Sequence, residues 1–189
     1  MEGRDLHLMR HGAPETMHLM LGRTDAAPTA GGVAACIGRA AGLAVEGVVS
    51  SDLSRAAEPA RRIAAARGLP HDIDPRWREL DFGTWDGLAP ATIDSAALSR
   101  FWSDPNAHPP PEGERWSALV ARVEQALAAL PPRPMLVVTH GGAMRAALSV
   151  LCGFGPAQGW ALDLPYGALL SLRVWPGERT AGQITGLLT

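Results

Sequence analysis

Apolar residues along this chain fall in short runs separated by longer stretches of helical spacing. Leu6 to Met9, Val48 to Ser51, Met135 to Thr139 and Leu169 to Trp175 are rich in apolar residues and read as strands. Residues 72–74 suit a further short strand. Between them, residues 30–43 are Ala- and Gly-rich and weakly helical, and 53–66 is a helix that Gly68 ends. The spacing of Trp116, Leu119, Val120, Val123, Leu127 and Leu130 predicts a helix over 113–130, stopped by Pro131, Pro132 and Pro134. Another helix is expected from about 142 to 152. Strands that alternate with helices and are apolar along most of their length predict an α/β fold. The expected form is a three-layer α/β/α sandwich around a mostly parallel sheet.

The 189 residues suit one domain, taken as 1–189. Residues 84–112 carry Pro90, Pro105 and Pro109 to Pro111 and read as an irregular insertion over the active-site end. Apolar runs are too short to span a bilayer, so a cytoplasmic protein is the default expectation. The net charge of −2 gives no general attraction to nucleic acid or to anionic membrane. All 17 basic residues are Arg, so any anion site must draw on Arg, His or backbone N–H groups. Cys36 and Cys152 lie far apart in Ala-rich stretches and imply no disulfide framework.

The chemistry gathers where strands end, which is where open α/β sheets bind ligands. Arg10-His11-Gly12 follows the first strand, and Ser50 to Arg55 follows the second and opens a helix. Thr139-His140-Gly141-Gly142 follows the late strand and also opens a helix. Two His and two Arg are therefore expected on one patch. A helix N-terminus there offers free N–H groups to a phosphate. Gly12, Gly141 and Gly142 are expected to let a ligand approach the backbone closely.

These residues, in order, resemble the histidine phosphatase superfamily, which includes the phosphoglycerate mutases. Leu8 to Gly12 resembles its R-H-G signature, and Gly22-Arg23-Thr24-Asp25 with Thr29 and Gly32 its G-x-x-D…L-T-x-x-G stretch. Ser51 to Ala56 resembles S-x-L-x-R-A, Glu79 to Gly87 resembles E-x-x-F-G-x-W-E-G, and Val138 to Gly142 resembles V-T-H-G-G. The resemblance implies a phosphoglycerate mutase-like fold and a phosphatase with no cofactor. His11 would be the phosphorylated nucleophile. Arg10, Arg55, His140 and Gly141 would hold phosphoryl oxygens, and Glu79 would protonate the leaving alkoxide. Independently, phosphoryl transfer needs positioning and charge stabilisation, which Arg forks supply. A carboxyl acid at 79 needs a pocket that holds its proton until it is used; the competing expectation is an ion pair with Arg76 or Arg78.

Ala13 and Pro14 stand where the family often has Glu and then Ser or Thr, and no Asn lies near position 17. Arg23 or Thr24 are the expected substitutes for the missing outer contacts. Only 61 positions separate Glu79 from His140, which favours a phosphatase over a mutase-type transferase. Phe101 to Pro105 and Pro110 to Glu114 resemble α-ribazole phosphatases, which act in cobalamin synthesis on a benzimidazole nucleoside 5′-phosphate. Trp85 and Trp102 are candidates for stacking on such a base. The expected partner is a small phosphate ester; a homodimer stays open.

Two other readings compete. His11, His140 and Glu79 as a metal site is disfavoured, because Arg10 and Arg55 would repel a cation. A non-catalytic phosphate-binding module is disfavoured because neither His nor the acid is missing. His7, His18, His71 and His108 have no motif support and read as surface or packing residues.

Overall fold

The apolar runs at Arg4–Arg10 (β1), Gly47–Ser50 (β2) and Met135–Thr139 (β4) form the middle of a six-stranded sheet. A computed structural model describes residues 2–177 and 180–189. The strand order is β3-β2-β4-β1-β5-β6, with β3 at His71–Ile73, β5 at Leu169–Trp175 and β6 at Ala181–Leu188. The four strands β3, β2, β4 and β1 run parallel; β5 and β6 are antiparallel to their neighbours.

Alternate side chains of the central strands enter two separate cores, as the strand period of two requires. Val49 and Val137 pack on one face, beneath helices Trp116–Ala128 (α4) and Gly141–Cys152 (α5). Val48, Leu136 and Val138 pack on the other, with Cys36, Ala60 and Ile63 of helices Ala30–Ala40 (α1) and Ser54–Arg67 (α2). This is the three-layer, mostly parallel sandwich expected. Gly68, at φ 64°, ends α2 in the left-handed conformation that glycine adopts without strain.

Three elements differ from the sequence expectation. Residues 84–112 are not irregular throughout: Ser95–Ser103 forms helix α3, and its N-cap Asp94 accepts the Ala97 N–H. Pro156–Trp160 forms a short helix, α6. Strand β6 was not expected, because Gly182 and Gly186 dilute its apolar alternation. Among the described residues no helix is long and apolar enough to cross a membrane.

Candidate active site

The pairing of β1 with β4 places the two central histidines. Arg10 and Thr139 are register partners in these adjacent parallel strands. The next residue of each chain is His11 and His140, so they emerge side by side at the carboxyl edge of the sheet. The His11 N–H donates to the Thr139 carbonyl at 2.9 Å, and the two ring centroids lie 5.0 Å apart.

His11 is 4% exposed, and its Nδ1 lies 2.8 Å from the Gly12 carbonyl. A carbonyl only accepts, so Nδ1 carries the hydrogen and Nε2 of the neutral ring keeps its lone pair. Burial, then the Arg55 and Arg10 charges, hold the His11 imidazole well below its usual range, against the opposing pull of the Gly12 carbonyl. His140 is fully buried and is also held well below that range, by burial first and then by His11, Arg55, Arg10 and Arg122.

These shifts make stability depend on pH. The folded protein resists protonating His11 and His140, whereas the unfolded chain takes up those protons near pH 6.5. Protons therefore favour unfolding, and stability falls as pH drops below about 6.5 by up to about 1.4 kcal/mol per pH unit for each imidazole. The more exposed His7 and His71 are shifted in the same direction and add less. Urea unfolding between pH 7.5 and 5 should show this decline; a flat profile would mean that the pair is protonated in the folded state.

Two arginines face the histidine pair. Arg10 donates through Nη1 to the Leu164 carbonyl at 2.6 Å, and its guanidinium carbon lies 4.2 Å from the centre of the Tyr166 ring. Tyr166 in turn lies 5.4 Å from His11, ring to ring. Arg55 is fully buried and donates to the carbonyls of Leu21, Gly22 and Thr24. Asp25 caps the start of α2, accepting from the Ser54 N–H at 2.6 Å and its hydroxyl at 2.7 Å. The loop at 21–25 is thus strapped onto the helix that carries Arg55.

Among the described residues, four buried polar atoms here have no hydrogen-bond partner: Nε of Arg10, Nε of Arg55 and both ring nitrogens of His140. Buried donors without acceptors are rare and costly. The Nε donors of the two arginines and the protonated nitrogen of the neutral His140 ring suit the oxygens of an anion.

Glu79 is held by the main chain. Its Oε1 accepts the Leu80 N–H at 2.8 Å and its Oε2 the Gly142 N–H at 3.1 Å, at the start of α5. The expected ion-pair alternatives go elsewhere: Arg76 pairs with Asp74, and Arg78 with Asp52. Arg122 donates to the carbonyls of Arg76, Arg78 and Glu79 and to both Glu114 oxygens, clamping the segment that carries the acid. Among the described residues, no three His, Cys, Asp or Glu side chains gather closely enough to hold a metal ion.

Gly12 and Gly142 also make room for the protein's own groups. A Cβ on Gly12 would meet the Gly32 carbonyl at 2.1 Å, and one on Gly142 would meet Oε1 of Glu79 at 2.1 Å. Both lack side chains to admit the protein's own groups. Gly141 sits tight against Arg145, whose Nη1 would lie 3.1 Å from a Cβ there.

Arg10, His11, Glu79, Gly141 and Gly142 line a cavity of about 300 Å³. His140 and Arg55 lie behind that lining. The expected substitutes do not reach it: Arg23 pairs with Asp81 at 3.2 Å, and the Thr24 hydroxyl donates to Asp86 at 2.8 Å. Trp102 lines the cavity, but Trp85 is buried edge-on to Phe101 in the core. Sequence reasoning missed Arg145, Trp160 and Tyr166, which line the same cavity. Arg145 could have been noticed one turn after Gly141 on α5; Tyr166 and Trp160 carry no motif.

A family model described as the histidine phosphatase superfamily (branch 1) matches residues 6–185. A glucosyl-3-phosphoglycerate phosphatase of Mycobacterium tuberculosis is 34% identical over 127 residues, covering 60% of this chain and 56% of that protein. The chain thus spans little more than half the length of the curated relatives it matches first. The adenosylcobalamin/alpha-ribazole phosphatase of Escherichia coli is 29% identical over 133 residues, covering 67% of this chain and 66% of that protein. The solved structure of a mycobacterial glucosyl-3-phosphoglycerate phosphatase superposes with a TM-score of 0.85 at 27% identity, covering 97% of each chain.

Proposed function

This chain belongs to the histidine phosphatase superfamily, branch 1, and on that premise we propose that it hydrolyses small-molecule phosphomonoesters through a phosphohistidine at His11. One observation carries the reading. A neutral His11, its Nδ1 committed to a carbonyl, stands beside His140, and the buried Nε donors of Arg10 and Arg55 have no acceptor among the described residues.

The Nε2 lone pair of His11 attacks phosphorus as the ester P–O bond breaks. Arg10, Arg55 and His140 hold the phosphoryl oxygens, and Glu79 gives its proton to the departing alkoxide. The Glu79 carboxylate then takes a proton from water. The resulting hydroxide attacks phosphorus, the N–P bond breaks, and phosphate leaves. His11 returns to its neutral form and Glu79 to its acid form.

Two esters stand as candidates, one from each relative. α-Ribazole 5′-phosphate matches the sequence resemblance and would place the chain in cobalamin synthesis; a glucosyl phosphoglycerate is the other. The test is trapping. Incubation with a ³²P-labelled phosphomonoester and rapid quenching should leave an acid-labile, alkali-stable label on the peptide that contains His11. Phosphate release with no such label at any time point would sink the mechanism.

A further inference from the structure

The cavity continues beyond the phosphoryl site along a chain of contacts. Gly141 lies against both Arg10 and Arg145, and the Arg145 guanidinium carbon lies 4.9 Å from the centre of the Trp160 ring. Trp160 packs edge-on to Trp102, with ring centroids 5.0 Å apart, and Trp102 packs on Phe101 at 4.8 Å. Trp116 lies behind Trp160 at 6.0 Å. Phe82 and Leu19 complete this part of the lining.

The composition of these walls limits what they can receive. A sugar presents hydroxyls on every side, and each needs a polar partner when buried. Arg145 is the cation nearest this end; three of its five N–H donors go to the carbonyls of Gly159, Gly141 and Leu162, which fix the guanidinium in place without neutralising it. Its flat face lies against Trp160. Beside Arg145 the walls offer aromatic surface in edge-to-face arrangement, with the Nε1 donor of Trp160 unpartnered among the described residues, and this favours a planar group that carries few polar atoms. Trp102, 41% exposed, stands at the mouth, held by Phe101 and Trp160.

We propose that this aromatic half of the cavity is a subsite for the alcohol part of the ester, that it selects a flat aromatic group, and that Trp102 is a specificity-determining residue. The proposal rests on the phosphomonoesterase reading and names the substrate class for the same site.

The test compares two esters whose leaving groups are both primary alkoxides, so that chemistry does not set the preference. The esters are 2-(naphthalen-2-yl)ethyl phosphate and D-glycerate 3-phosphate. The arylethyl ester is expected to show about a tenfold to hundredfold higher kcat/KM, carried mainly by KM. Trp102→Ala should reduce that ratio by about tenfold, and Trp102→Phe should restore most of it. Equal kcat/KM for the two esters, a preference for the glycerate ester, or a ratio unmoved in Trp102→Ala would each overturn the subsite. Trapped phosphohistidine separates the two levels of failure. Label at His11 from both esters with a flat ratio removes the subsite alone, whereas no label from either removes the phosphatase reading and the subsite with it.

Discussion

Replacing His11 with Ala is expected to abolish turnover, lowering kcat by roughly ten-thousandfold or more. The magnitude reflects the kind of group removed. His11 presents the lone pair of a ring whose other nitrogen is fixed on the Gly12 carbonyl. Its loss deletes the path through the covalent intermediate and not merely one contact among several. His140, 5.0 Å away ring to ring, is not expected to stand in, because among the described residues no carbonyl fixes its tautomer. The check is phosphate release by the variant together with a thermal melt, so that loss of fold is separated from loss of chemistry. A folded variant within a factor of ten of the parent would refute the nucleophile.

Glu79→Gln should split substrates by leaving group. An alkyl phosphate expels a basic alkoxide and needs the proton, so its transfer to His11 should slow by roughly a hundred- to ten-thousandfold. p-Nitrophenyl phosphate releases a stable anion without a proton and should slow much less. Gln is nearly isosteric, but its one carbonyl oxygen serves only one of the Leu80 and Gly142 N–H groups. A modest loss common to both substrates is therefore part of the expectation. Single-turnover labelling of His11 keeps the first step visible if dephosphorylation limits the steady state. Equal losses on both substrates would assign Glu79 a positioning role only. The neighbouring carboxylates are already engaged: Asp81 takes Arg23 and the Gly83 N–H, and Asp86 takes Gly22 and Thr24.

The placement of the two histidines was legible in the sequence because it depends on strand ends. A buried parallel strand announces itself as an apolar run, and the residue after its last one lands at the carboxyl edge. His11 and His140 needed nothing more than that and a shared register. The walls of the cavity were not legible in the same way. Trp85 and Trp102 look alike in sequence; only the packing of α3 sends one into the core and leaves the other at the mouth. Arg145, Trp160 and Tyr166 meet through the turns around α6, which short-range spacing does not encode. At Gly12 and Gly142 the protein's own groups come close, which the sequence did not specify, since a missing Cβ says that something comes close without saying what. Thr24 and Arg23 stay away from the cavity because their side chains answer to Asp86 and Asp81, about sixty residues away in the chain.

The two halves of the cavity come from different parts of the fold. The phosphoryl end stands on the last residues of β1 and β4, the innermost pair of parallel strands, and on the helix starts beyond the sheet edge. The aromatic end comes from α3, the start of α4 and α6, which lie outside the sheet. Trp102 lies on α3 and Trp160 on α6, and neither belongs to a strand of the sheet. On the proposed division, descent can exchange the alcohol that is recognised while the phosphorus chemistry stays fixed. Relatives that share this sheet, yet are named for a glucosyl phosphoglycerate in one case and a ribazole in another, are the divergence such a division of labour permits.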